Sequence, residues 1–213
     1  MSRFSWVLIS DLHLKSTHTT WSQNVVLRNM VRDIERRKAD FANINFVIVS
    51  GDLAHAGKPE QYKLVEDFSH RLVGNILIGI VGLNSAMACG NDQDEHNVVL
   101  GDRPLVDICE IIREADVRLV IGILHHPPTW LREFDRRTFN DRFLAMCDVI
   151  HRGHLHEAEV SLLYTSSNTQ CLAVAAGAGY VWRQFKNSYS IVSFDPSASL
   201  CLATYSRELK PNS

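Results

Sequence analysis

Aspartate and histidine recur in four short clusters: Ser10-Asp11-Leu12-His13, Gly51-Asp52, His125-His126-Pro127-Pro128 and Gly153-His154-Leu155-His156. On an extended or looped backbone, Asp-x-His and His-x-His put alternate side chains on one side. Two residues of one segment can then reach the same metal ions. Imidazole and carboxylate without thiolate suit Zn, Mn, Fe or Ni better than Ca. Six such groups, Asp11, His13, Asp52, His125, His154 and His156, are too many for one tetrahedral site. They suit two divalent or trivalent ions about 3.5–4 Å apart that share a carboxylate. The chemistry expected of such a pair is hydrolysis, because coordinated water loses a proton near neutral pH and becomes a nucleophile.

The elements that must position these groups are legible as apolar runs. Trp6–Ile9, Phe46–Val49, Ile76–Val81, Leu119–Leu124, Cys171–Ala175 and Tyr189–Phe194 are short, rich in Val and Ile, and bounded by polar or Gly residues. They read as buried strands. A shorter run, Asp148–Ile150, precedes the last cluster. Helical patterns lie between: Val25–Lys38, Pro59–Leu72, Leu105–Ala115 and a weaker Phe139–Cys147. Pro59 suits a helix start. Alternating strands and helices predict an α/β fold. Each His/Asp cluster follows a strand, and α/β sites gather beyond the carboxyl ends of strands. Gly51 and Gly153 precede ligands where the chain must turn. Pro127 and Pro128 stiffen the loop that holds His125.

With 213 residues, the chain supports one domain over 1–213. Residues 206–213 are polar and read as a flexible tail. A net charge of −2 gives no generic grip on nucleic acid. Arg36-Arg37-Lys38 and Arg136-Arg137 read as solvated helix faces. Five cysteines without a CxxC pair argue against a disulfide framework and for a reducing, cytoplasmic compartment. No signal-peptide pattern opens the chain. No apolar run reaches the roughly 20 residues of a membrane span.

The four motifs, in this order across residues 6–157, resemble those of the calcineurin-like metallophosphoesterases. Val174-Ala175-Ala176-Gly177 and Asn187-Ser188-Tyr189-Ser190-Ile191-Val192 are similar to the closing strands of bacterial members. The resemblance implies a double β-sheet sandwich flanked by helices. It implies that Asp11, His13 and His156 bind the first metal, that His125 and His154 bind the second, and that Asp52 bridges them. It implies a phosphodiesterase with a metal-bound hydroxide nucleophile. His126 then lies beside the site or supports it.

One family motif is missing. Gly-Asn-His, whose Asn binds the second metal and whose His contacts phosphate, has no counterpart here. Asn75 precedes a strand, Asn84 follows one in Gly82-Leu83-Asn84-Ser85, and Asn91 is followed by Asp92. Helix Pro59–Leu72 runs almost directly into strand Ile76–Val81, so a segment is expected to be absent near Ser69–Gly74.

Plainer readings stand beside the sharp ones. Asp11 alone would be a helix cap, and Gly51-Asp52 a turn. His55 reads as a loop histidine or a substrate contact. His18, His70, His96 and His151 have no supporting context. Trp130, Phe134 and Phe139 read as core or lid packing, with base stacking as the alternative. The acidic loop Asn91–Glu95 reads as a solvated turn. Phosphoester substrates, nucleotides and nucleic acids among them, are the expected partners, with a protein partner or a longer parent chain also compatible. The competing class is an impaired scaffold that keeps the fold without turnover, or a nuclease subunit of a larger assembly.

Overall fold

The computed structural model describes residues 3–13, 21–41, 44–52, 78–86, 89, 94–114, 117–165, 169–180, 186–195 and 200–209. The expected helix 59–72, the junction near 69–74, His18, His55, His70, Asn75 and Asn91 lie outside them.

The strands are β1 (Phe4–Ile9), β2 (Ile44–Val49), β3 (Ile78–Gly82), β4 (Leu119–Ile123), β5 (Val149–Arg152), β6 (Glu159–Tyr164), β7 (Gln170–Ala175), β8 (Asn187–Asp195) and β9 (Leu200–Leu209). Two sheets form, in the orders β2-β1-β8-β9 and β3-β4-β5-β7-β6. β1 pairs in parallel with β2 and antiparallel with β8. In the second sheet β3, β4, β5 and β7 run parallel, and β6 is the antiparallel edge.

Three apolar layers hold this arrangement. Trp6, Leu8 and Ile48 from the first sheet meet Leu119, Ile121, Val149 and Val174 from the second. Val7 and Ile9, on the other face of β1, pack with Val26 and Met30 of α1 (Trp21–Arg37). Both faces of β1 are thus covered, which explains its unbroken apolar run. On the far side of the second sheet, Leu124 and Ile150 pack with Leu105 and Cys109 of α2 (Asp102–Glu114) and with Phe139 and Phe143. The fold class is α/β with two sheets flanked by helices, as the sequence pattern and the resemblance predict.

Several boundaries differ. The helix expected from Phe139 begins earlier, as α3 (Glu133–Thr138), and continues as a π-helical turn over Phe139–Leu144. Its buried Asp135 accepts the backbone N–H of Leu100 at 2.7 Å and of Gly101 at 3.2 Å, which fixes the approach to α2. β6 and β9 were not expected. β6 is an edge strand with Val160, Leu162 and Tyr164 exposed, so it lacks the buried-strand signature. Residues 206–209, expected in a flexible tail, pair with β8, from Ser190↔Ser206 to Asn187↔Leu209. Ladder hydrogen bonds hold polar residues in a strand as well as apolar ones. No helix among the described residues is long and apolar enough to cross a membrane.

Candidate metal centre

The candidate ligands sit just beyond the carboxyl ends of β1, β2, β4 and β5. Asp11, His13 and Asp52 come from one sheet, and His125, His154 and His156 from the other. Backbone hydrogen bonds tie the loops of each sheet together. Asp11 N–H donates to Gly51 O at 3.1 Å, and His13 N–H to Asp52 O at 2.8 Å. Gly153 N–H donates to His125 O at 3.1 Å. His154 N–H donates to Asp11 Oδ2 at 3.3 Å and crosses from one sheet to the other. Gly179 N–H and Tyr180 N–H donate to Ser10 O and Asp11 O, fastening the first loop from behind. Gln23 of α1, itself buried, donates to Leu12 O at 2.8 Å.

The backbone is unusual at the same residues. Asp11, His13, Asp52, His154 and His156 have φ of 53°, 47°, 44°, 70° and 59°. A non-Gly residue in this left-handed region costs of order 1–3 kcal/mol and persists where its surroundings impose it. His96 shares the feature at φ 63°. Its Nδ1 lies 2.9 Å from Thr129 O, on an exposed turn.

The side chains form three overlapping groups: Asp11, His13 and His156; Asp11, Asp52 and His125; His125, His126 and His154. Asp52 Oδ2 lies 3.6 Å from His125 Nε2 and 4.0 Å from His13 Nδ1, between the first group and the last. His156 Nε2 is 3.3 Å from Asp11 Oδ1. His125 Nε2 is 3.2 Å from His154 Nδ1. Two imidazole nitrogens this close need a proton between them or a cation that both can share. Asp11 Oδ1, which faces His156, is buried without a hydrogen-bond partner among the described residues. Orphaned buried groups of this kind call for an ion or water. The donor set and its unpaired oxygen fit divalent metal ions.

Electrostatics agree with a cluster built for cations. Burial acts to raise the Asp11 carboxyl, but His156, Ser10 and His125 more than offset it and hold the group below its ordinary value. Burial lowers His154, and the neighbouring His125 lowers it further. Burial, with His125 and His154 close by, takes His126 down to about 4. Neutral imidazole is the form that binds metal.

Close approach explains the two glycines. A Cβ on Gly51 would lie 2.2 Å from His125 Nδ1, and Gly51 has φ +144°. A Cβ on Gly153 would lie 2.0 Å from Ser10 Oγ and 2.9 Å from Asp11 Oδ2. The chain does turn sharply after Gly153, with Leu155 N–H donating to Gly153 O at 2.9 Å, but the left-handed φ belongs to His154 and not to the glycine.

Other expectations resolve individually. Asn84 is exposed, and its Oδ1 accepts the N–H of Ala86 at 3.2 Å, so its amide serves its own turn. Its neighbour Ser85, which sequence reading passes over, is buried and reaches the His125-His126 backbone. Only its place after β3 hinted at this. Trp130 sits against the site, with its ring 4.6 Å from that of His154 and 5.9 Å from that of His126. Phe139 is core and Phe134 is exposed. His151 is also core: it is buried and accepts the Trp6 indole N–H.

No family model matches the sequence, and no curated protein matches it. Solved structures do. A novel phosphatase from Mycoplasma pneumoniae superposes with a TM-score of 0.55 at 12% identity, covering 98% of this chain and 94% of that one. A hypothetical protein from Thermus thermophilus gives 0.54 at 12% identity, covering 97% and 99%. A metallophosphoesterase from Sphaerobacter thermophilus gives 0.44 at 16% identity, covering 98% and 88%. The chain shares its fold with the Mycoplasma pneumoniae phosphatase and the Thermus thermophilus protein. In this fold the two sheets bring their strand ends to one side, and all six candidate ligands stand there.

Proposed function

We propose that this chain is a metal-dependent phosphoester hydrolase, a phosphodiesterase with a dinuclear centre. The observation that carries the reading is the convergence of six Asp and His side chains from two sheets, five of them on left-handed backbone. Asp11, His13 and His156 would hold one ion, His125 and His154 the other, and Asp52 both. Bound metals would polarise the phosphoester and supply a nucleophile from water at neutral pH. The chain's own residues do the positioning. Asp11 is held ionised by His156, Ser10 and His125 against the penalty of burial. Asp52 Oδ2 stands between His13 and His125. The Trp130 ring packs at a steep angle against His154 on one side. The reading includes a cytoplasmic location, with nucleotides or nucleic-acid ends as candidate substrates.

The test is hydrolysis of bis-p-nitrophenyl phosphate by the purified protein with Mn²⁺, beside metal analysis and Asp52→Asn. Turnover with about two ions bound, both lost in Asp52→Asn, is expected. Two bound ions with no turnover would favour the second reading, a scaffold that keeps its metals without catalysis. Asn84 lends some weight to that alternative, since its Oδ1 accepts the N–H of Ala86 in its own turn. No metal and no turnover would defeat the hydrolase.

A further inference from the structure

The adjacent pair His125-His126 contains two imidazoles within reach of His154, with ring centroids 5.0 and 4.4 Å from its own. Geometry alone allows either to be a ligand, and the three form one group able to hold an ion. The hydrogen bonds separate them.

Ser85 Oγ lies 3.2 Å from His125 N, 3.1 Å from His126 N and 3.0 Å from His126 Nδ1. A hydroxyl has two lone pairs and one proton. Two backbone N–H groups take the lone pairs, so the proton goes to Nδ1. His126 then carries its own proton on Nε2, which faces Cys89 Sγ at 3.7 Å. Cys89 S–H in turn donates to Ser85 O at 3.1 Å, which closes the ring of contacts. His126 has no lone pair left for a metal. Among the described residues His125 has no such partners: its Nδ1 is buried without a hydrogen bond and its Nε2 faces His154 and Asp52.

We propose that Ser85 is a positioning residue that divides the histidine pair, committing His125 to the second metal and His126 to the scaffold. The inference rests on the dinuclear reading above. Ser85 touches no ion itself. It fixes the backbone from which His125 projects, and it consumes the ring nitrogen that would let His126 compete. Loss of groups that orient metal ligands typically lowers affinity roughly 10–100-fold.

The test is Co²⁺ binding to the metal-free full chain, followed by titration and the visible spectrum, in wild type, Ser85→Ala, Ser85→Thr and His126→Phe. Wild type is expected to bind two equivalents. Ser85→Ala should weaken one equivalent about 10–100-fold and leave the other, held by Asp11, His13 and His156, unchanged. Ser85→Thr, which keeps the hydroxyl, should restore the weakened equivalent. His126→Phe should still bind both. A metal-free readout is the ¹⁵N spectrum of His126, expected as the Nε2–H form in wild type and altered in Ser85→Ala. Equal affinities in wild type and Ser85→Ala, parallel loss of both equivalents, or loss of one in His126→Phe would overturn the proposal and leave the dinuclear reading standing. A wild type that binds no Co²⁺ would overturn that reading and this one together.

Discussion

Trp6 of β1 and His151 of β5 join the two sheets through a buried hydrogen bond, with the indole Nε1–H donating to His151 Nε2 at 2.8 Å. Both side chains are fully buried. The strands they sit on lead directly to Asp11 and to His154. The bond therefore sets the height of one ligand loop against the other.

It also makes stability depend on pH. Burial pushes His151 down to about 3 from an ordinary value of 6.5. Below pH 6.5 the unfolded chain takes up a proton that the folded chain refuses. The contribution is whole above 6.5 and is lost as pH falls toward 3, by about 1.4 kcal/mol per unit. Denaturant unfolding at pH 7, 6 and 5 should show this slope. His151→Gln, which can accept the indole N–H without titrating, should remove its share of the slope and leave the share that the buried His126 adds over the same pH range.

Gly51 and Gly82 make a matched pair. A Cβ on Gly51 enters the His125 ring, while a Cβ on Gly82 meets nothing within 4 Å among the described residues. Gly51→Ala should cost about 1–3 kcal/mol, as overpacking does, and weaken metal binding by displacing His125. Gly82→Ala should stay within about 0.5 kcal/mol of wild type. Thermal melts with and without Mn²⁺ compare the two.

Metal should stabilise the fold by binding only its native state. At about 100 times its dissociation constant, Mn²⁺ should add about 2.7 kcal/mol. At this chain length that is a rise in Tm of roughly 5–10 °C. Asp52→Asn should melt at about the same temperature with and without Mn²⁺. A wild-type melt indifferent to Mn²⁺ counts against the metal centre.

Leaving-group dependence tests the missing Gly-Asn-His motif. With His126 neutral and its ring contacts filled by Ser85 and Cys89, it is poorly placed to protonate a leaving alkoxide. Aryl phosphodiesters, which leave without a proton, should be cleaved at least about 100-fold faster than alkyl diesters, a gap of the size that a general acid closes. Equal kcat/KM on both would show that another group supplies the proton.

Much of the site was legible early because its residues are local to strand ends. Asp11 follows β1 by two positions and His125 follows β4 by two, so a buried run points to its own candidate ligand. The helices were legible in kind and less so in extent. α3 starts six residues before Phe139 because Asp135 has a tertiary task, holding the N–H groups of Leu100 and Gly101. β6 was not legible because an edge strand with an exposed face carries no buried run.

The amino-acid sequence by itself determined which residues could bind metal and that strands would deliver them. Residue type, spacing and apolar runs are short-range properties of the chain. The tertiary structure decided that Asp11 and Asp52 come from one sheet and His125 and His154 from the other. It decided that His125 and His126, identical in chemistry and adjacent in sequence, have different hydrogen-bond partners. Their difference lies in partners about 40 positions away, Ser85 and Cys89. No local pattern encodes a hydrogen bond that only folding brings within reach.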